Sequence, residues 1–276
     1  MQERRKKFEE QDIRIKERMG KIKHKLVVLS GKGGVGKSTV TANLAVMLAK
    51  RGSSVGVLDG DITGPCIPQM LGAKNEKPVV TPTGLSPVVG VFGVRIVSMD
   101  YFLASETTPV IWRGPLKTMA IRQFLADIEW GPLDFLLVDL PPGTGDEALS
   151  VIQFIPNITG VIIVTIPSKV SQIVVKKAVM FSKKLNTHII GLIENMSGFV
   201  CPSCGASTNI FQVGGGEKIC RELGISFLGA IPLDPRICDD MDRGKPFIAE
   251  HPDSPPAKAF TGIVDKIVEV LGVEKF

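Results

Sequence analysis

The chain has 276 residues, of which 44% are apolar and 22% charged. That composition excludes collagen-like, low-complexity and small disulfide-framework chains and leaves room for a full core. The formal net charge is +5, but residues 1–25 hold ten Lys/Arg against five Asp/Glu while the remaining 251 hold 23 of each sign; a body this neutral argues against a nucleic-acid partner, whose binding fold carries its basic face on the body.

Residues 1–24 read as a charged helical arm. Phe8, Ile15, Met19 and Ile22 recur among the charges at heptad-like spacing, a narrow apolar stripe able to pack on the body or on a partner. From Lys25 onward, near-continuous β-branched runs at 26–30, 54–59, 94–99, 134–139, 160–166, 189–194 and 227–231 alternate with helical stretches at 37–51, 115–128, 146–154, 170–185 and 216–223. Runs of that kind belong to strands buried on both faces. The alternation predicts one α/β domain over 25–276, a doubly wound, mostly parallel sheet with helices on both faces. Residues 75–93, rich in Pro, Gly and Val, read as an excursion with a small hairpin. A last helix at 257–271 would bury Phe260, Ile263, Val264, Ile267, Val270 and Leu271. No run reaches 18 apolar residues, and the arm lacks the apolar core of a secretory signal. With five cysteines, an odd and sparse count, the expectation is a cytoplasmic protein with no membrane partner.

Between the first strand and the first body helix stands Gly31-Lys32-Gly33-Gly34-Val35-Gly36-Lys37-Ser38-Thr39. Gly31, Gly33 and Gly36 fit the dinucleotide fingerprint, with Asp59 where a ribose carboxylate would sit. The same residues fit a P-loop, and Lys37-Ser38 separates the two: a dinucleotide turn has no use for that pair, whereas a nucleoside triphosphate does. Backbone N–H groups of Gly33, Gly34, Val35 and Gly36 would cradle the phosphates of ATP. Lys37 would reach the β/γ-phosphates, Ser38 would ligate Mg²⁺, and Thr39 would add a hydroxyl. Asp139 closes the strand that would hold the metal's water shell, and Asp59 and Asp61 close another. Lys32 is a second lysine in the loop, placed to act across a two-fold dimer.

Cys201 and Cys204 form C-x-x-C in a Gly/Pro/Ser-rich loop after a strand. A redox pair would open a helix instead. Two thiolates complete neither Zn²⁺ nor a 4Fe–4S cluster, each of which wants four ligands. An isologous homodimer would supply the other two at its axis, and by this chemistry zinc and iron–sulfur stand level.

Six motifs in order, SGKGGVGKST at 30–39, LDGDITGPCIP at 58–68, WRGP at 112–115, DLPPGTGD at 139–146, ENMSGFVCPSCG at 194–205 and IPLD at 231–234, resemble the Mrp/ApbC-type iron–sulfur cluster carriers of the MinD/ParA class of deviant-Walker P-loop ATPases. The resemblance implies a homodimer that sandwiches two ATP molecules. It implies Lys32 acting in trans, Asp61 orienting the attacking water, Asp139 as the Walker B acid, and Asn195 and the backbone near Pro232 holding adenine. It also implies a labile 4Fe–4S cluster bridging two subunits on Cys201 and Cys204, passed to apo iron–sulfur proteins. The alternative is a MinD/ParA-type positioning switch without a cluster. Relative to the resembled family, Gly60 replaces a usual Ala, Cys66 a usual Ser, and Ser168-Lys169 a commoner Gln plus acid.

Overall fold

The computed structural model describes residues 2–62, 64–102, 114–143, 145–201, 204–210 and 213–273. In chain order the elements are α1 Gln2–Met19, β1 Ile22–Ser30, α2 Lys37–Lys50, β2 Val55–Asp59, α3 Ile67–Met70, β3 Val80–Thr81, β4 Gly84–Leu85, β5 Val88–Val89 and β6 Arg95–Ser98. There follow α4 Gly114–Asp127, β7 Leu133–Asp139, α5 Asp146–Phe154, β8 Gly160–Thr165, α6 Lys169–Lys184, β9 Ile189–Glu194 and the pair β10 Phe199–Val200 and β11 Ser207–Thr208. The chain continues with α7 Gly215–Leu223, β12 Phe227–Ala230, α8 Arg236–Asp242, α9 Phe247–Glu250 and α10 Pro255–Val270.

Eight strands make the main sheet in the order β12-β9-β8-β1-β7-β2-β6-β5. Every pairing is parallel except β5 with β6, an antiparallel edge. The seven expected strands are all present; β5 is an eighth, too short to read as a strand in sequence. The excursion holds the expected hairpin as β3–β4.

Successive residues of the central strands point to opposite faces, which makes two cores. Leu26 and Val28 of β1 and Phe135 and Leu137 of β7 face α2 and α10, where Leu44, Leu48, Phe260 and Ile263 pack. Val27, Leu29, Leu136 and Val138 face the other side, with Ile15, Leu125, Val151, Val175 and Ile219 from α1, α4, α5, α6 and α7. Burying a side chain such as Phe260 contributes about 2–3 kcal/mol each. Helix α10 starts at Pro255, capped by Ser254 Oγ on Ala257 N and with proline in its first turn, where a missing N–H costs nothing. Its apolar stripe differs from the expected one at a single step: Val268 is buried and Val270 exposed.

The arm is docked on the body. Ile15 and Met19 are buried, and α1 lies along α4. Arg122 of α4 stacks on the Phe8 ring at 4.9 Å and donates to Phe8 O at 2.9 Å and Asp12 Oδ1 at 2.7 Å. At the other end of α1, Lys25 Nζ donates to the carbonyls of Met19 and Ile22 at 3.3 and 3.0 Å, placing positive charge at a helix C-terminus. β1 begins at Ile22, which pairs with Leu133, three residues before the sequence changes texture.

Candidate functional site

The parallel strands point their C-terminal ends at one rim, and there β1 gives way to the glycine loop. Gly34 and Gly36 have φ of 75° and 76°, a left-handed backbone that side chains rarely adopt. A Cβ on Gly31 would lie 2.2 Å from Val174 Cγ1, so only glycine lets α6 approach. Gly36 caps α2 without any side-chain hydrogen bond, which leaves the first N–H groups of α2 to face the cleft, a ready anion site. The cleft holds about 240 Å³ and is bounded by Ser30, Lys32, Gly33 to Thr39, Asp61, Cys66, Met70 and Pro142.

One buried carboxylate organises its floor. Lys37 Nζ lies 2.7 Å from Asp139 Oδ2. Ser38 Oγ donates to the same oxygen at 2.5 Å, and Thr41 Oγ1 to Oδ1 at 2.8 Å. A hydroxyl and a carboxylate oxygen side by side, from two elements, fit a hard cation of the Mg²⁺ type. Thr41, one turn beyond the loop, escaped the sequence reading; its spacing of four from Lys37 was the available signal.

Asp59 stands across from Asp139 in the parallel register of β2 and β7. It accepts from Asp61 N at 3.2 Å, Cys66 N at 3.1 Å, Ile67 N at 3.3 Å and Ser98 Oγ at 3.1 Å. Burial, then the charge of Asp139, raises its carboxyl to about 7. A group so enclosed holds the loop that sets Asp61 on the cleft wall. It does not present itself to a ribose, and the dinucleotide alternative lapses. The Cys66 thiol is pushed up by burial to about 11. Lys32 lines the same cleft, its carbonyl accepting from Ser30 Oγ at 3.0 Å. The loop after β7 is tied to β1 by Gly143 N donating to Ser30 O at 2.9 Å. A Cβ on Gly60 would lie 3.0 Å from Asp139 O, a tight fit for the usual Ala. Ser168 caps α6 through Ser171 N.

Asn195 and Pro232 come together at the ends of β9 and β12. Asn195 is buried; its Nδ2 donates to Val35 O at 2.9 Å, and its backbone N to Thr165 O at 2.7 Å. The strand end therefore supports the glycine loop directly. Pro232 sits between Ile231 N, which donates to Glu194 O at 2.8 Å, and Leu233 N, which donates to Gly198 O at 2.8 Å.

The cysteine pair follows at once. β10 and β11 pair antiparallel, Phe199 with Thr208 and Val200 with Ser207, and the cysteines lie in the connection. Cys201 N donates to Ala206 O at 2.9 Å, and Gly205 N to Cys201 O at 2.8 Å. Cys201 is half-buried and Cys204 exposed, with the exposed apolar Val200 beside them. Among the described residues no three His, Cys, Asp or Glu gather to hold a metal; two thiols are half of what a four-thiolate centre takes. Cys220 is buried and its thiol is pushed to about 12, mainly by desolvation. Cys238 is exposed on α8. Thr63, Trp112, Arg113, Thr144, Pro202 and Ser203 of the quoted motifs lie outside the described residues.

Sheet order, glycine loop and strand-end carboxylate together define a P-loop NTPase of the MinD/ParA class. The chain belongs to the ParA family described as NUBPL iron-transfer P-loop NTPase, whose profile matches residues 21–268. It is 54% identical over 266 residues to an iron–sulfur cluster carrier protein of Methanocaldococcus jannaschii, covering 96% of this chain and 91% of that one. Its fold is similar to that of a nucleotide-binding protein from Archaeoglobus fulgidus in complex with ADP, with 40% identity, a TM-score of 0.78 and coverage of 88% and 94%. It is also similar to the septum site-determining protein MinD of Pyrococcus horikoshii complexed with Mg-ADP, with 25% identity, a TM-score of 0.67 and coverage of 91% and 98%. Among the described residues, no helix is long and apolar enough to cross a membrane.

Proposed function

We propose that this chain binds and slowly hydrolyses Mg-ATP, and that it uses this cycle to carry a 4Fe–4S cluster on Cys201 and Cys204 to apo iron–sulfur proteins. The observation that carries the reading is the meeting of a phosphate cleft and a two-thiol hairpin on one strand end, β9, in a chain of the iron-transfer family. Two thiols per chain call for a homodimer, with the cluster or, in its place, Zn²⁺ on the axis. The family match and the cysteine hairpin favour this reading over the positioning switch. So does α10, which packs its apolar face into the core rather than offering it to a surface.

In this reading Gly33, Gly34, Val35, Gly36 and Thr39 cradle the phosphates, and Lys37 neutralises the β/γ-oxygens. Ser38 and Asp139 hold Mg²⁺, which supplies Lewis-acid stabilisation of developing charge. Asp61 orients the attacking water and Lys32 reaches the partner's nucleotide. Asn195 and Pro232 border the adenine. Catalysis rests on position and charge, as in other phosphoryl transfers. The protein works in the cytoplasm; residues 25–276 form the ATPase domain and residues 1–24 an arm clasped to it.

The test is transfer. Reconstituted protein mixed with an apo 4Fe–4S enzyme should restore that enzyme's activity, while Cys201→Ser and Cys204→Ser proteins should not. Equal restoration by all three would refute the carrier reading.

A further inference from the structure

Glu194 ends β9 with a carboxylate that no solvent reaches. A buried carboxylate of this kind needs several donors, and among the described residues Glu194 has three. Ser197 Oγ donates to Oε1 at 2.5 Å, Gly214 N to Oε1 at 3.1 Å, and Gly216 N to Oε2. The two glycine N–H groups belong to the start of α7, where the helix dipole also favours a negative charge. Gly216 is there for closeness: a Cβ would stand 3.0 Å from Glu194 Oε2 and 2.9 Å from Leu192 Cδ2.

Ser197 and Gly214 bracket the stretch that carries both cysteines. One carboxylate thus closes the two ends of that stretch onto the same point. Its backbone is tied at the same place, Ser197 N donating to Ile231 O at 2.9 Å and Ile231 N to Glu194 O at 2.8 Å. The next residue, Asn195, supports Val35 in the glycine loop. The cysteine stretch and the phosphate cleft are therefore anchored on two consecutive residues.

We infer that Glu194 is the positioning residue of the cysteine loop, fixing where Cys201 and Cys204 present their thiolates. This rests on the reading that the cluster sits on those two cysteines. A site that draws only two ligands from each chain is sensitive to any spread in their positions. A glutamine at 194 keeps the shape but brings an NH₂ against N–H donors, so it loosens the closure without emptying the space.

The experiment compares wild type with Glu194→Gln, Ser197→Ala and Cys201→Ser, each reconstituted anaerobically with iron and sulfide. Two quantities are read: ATP affinity, and the rate at which an iron chelator strips the cluster. Glu194→Gln should keep ATP affinity within about twofold and lose its cluster about tenfold faster, the scale of one weakened charge-assisted hydrogen bond. It should also alter the visible circular dichroism of the cluster. Ser197→Ala, which retains two of the three donors, should move the same way by less. A cluster stripped from Glu194→Gln at the wild-type rate would overturn the inference, as would ATP affinity lost in parallel with the cluster. If Glu194→Gln is insoluble, an unchanged rate in Ser197→Ala overturns it. Cys201→Ser keeps the two claims apart: a cluster retained there refutes the cysteine site itself, whereas a cluster lost there but unaffected in Glu194→Gln refutes only the role of Glu194.

Discussion

Ser38 Oγ stands 2.5 Å from Asp139 Oδ2, the oxygen that also holds Lys37 Nζ at 2.7 Å. The first residues of α2 and the last of β7 thus meet on one atom, and the phosphate site is assembled by the register of the sheet. Removing the lysine should separate binding from fold. Lys37→Ala is expected to lower ATP affinity by about 10–100-fold, the worth of charged hydrogen bonds to the triphosphate. Fluorescent-nucleotide titration reads this directly, and affinity near that of wild type would contradict the assignment of the cleft.

The two acidic strand ends should fail differently. Asp61 lies on the cleft wall, held by a loop folded on Asp59. Asp61→Ala should therefore keep Mg-ATP bound and slow hydrolysis by about 10²-fold. Asp139→Ala removes the partner of both Lys37 and Ser38, so Mg²⁺-dependent binding itself should weaken. Equal loss of affinity in both, by calorimetry, would show that the roles are not divided.

Lys32 shares its own chain's cleft, so its action in trans needs a direct test. Lys32→Ala and Asp61→Ala proteins, each slow alone, should recover part of the wild-type ATPase rate when mixed. A mixed dimer contains one site with its own Asp61 and the other subunit's Lys32. Heterodimers that form, by native mass spectrometry, and yet stay slow would place Lys32 in its own site.

The sheet's far rim offers a pH test independent of nucleotide. Asp134 accepts from Lys23 Nζ at 2.8 Å and from Ser54 N and Oγ at 2.8 and 2.7 Å. The Lys23 hydrogen bond first, then those of Ser54, holds its carboxyl at about 2, below the ordinary 3.8. A lowered carboxyl gives stability that is present above about pH 4 and lost as pH falls through about 2. Asp134→Asn should cost about 1–2 kcal/mol at neutral pH, allowing for partial exposure. It should also flatten the acid limb of the denaturation midpoint against pH; an unchanged limb would rule the cluster out as a contributor.

Much of this was legible in the chain itself. Continuous apolar runs such as Gly160–Thr165, buried at every position, carry a strong signal because both faces of the strand are covered. The glycine loop is equally plain, since its spacing reflects backbone chemistry. What could not be read depends on distant partners. Arg122 clasping α1 joins residues 114 positions apart. β5 is two residues long and exists because β6 lies beside it. Glu194 looks like any acid at a strand end until Gly214 and Gly216 are brought round to it.

The most direct test of the central claim is stoichiometry. Protein reconstituted anaerobically should be analysed for iron and sulfide and weighed by native mass spectrometry, as wild type and as Cys201→Ser and Cys204→Ser. The account predicts about two iron atoms per chain and one 4Fe–4S cluster per dimer, absent from both variants while ATP binding persists. A monomer holding a complete metal centre, or a cluster retained in both variants, would contradict it.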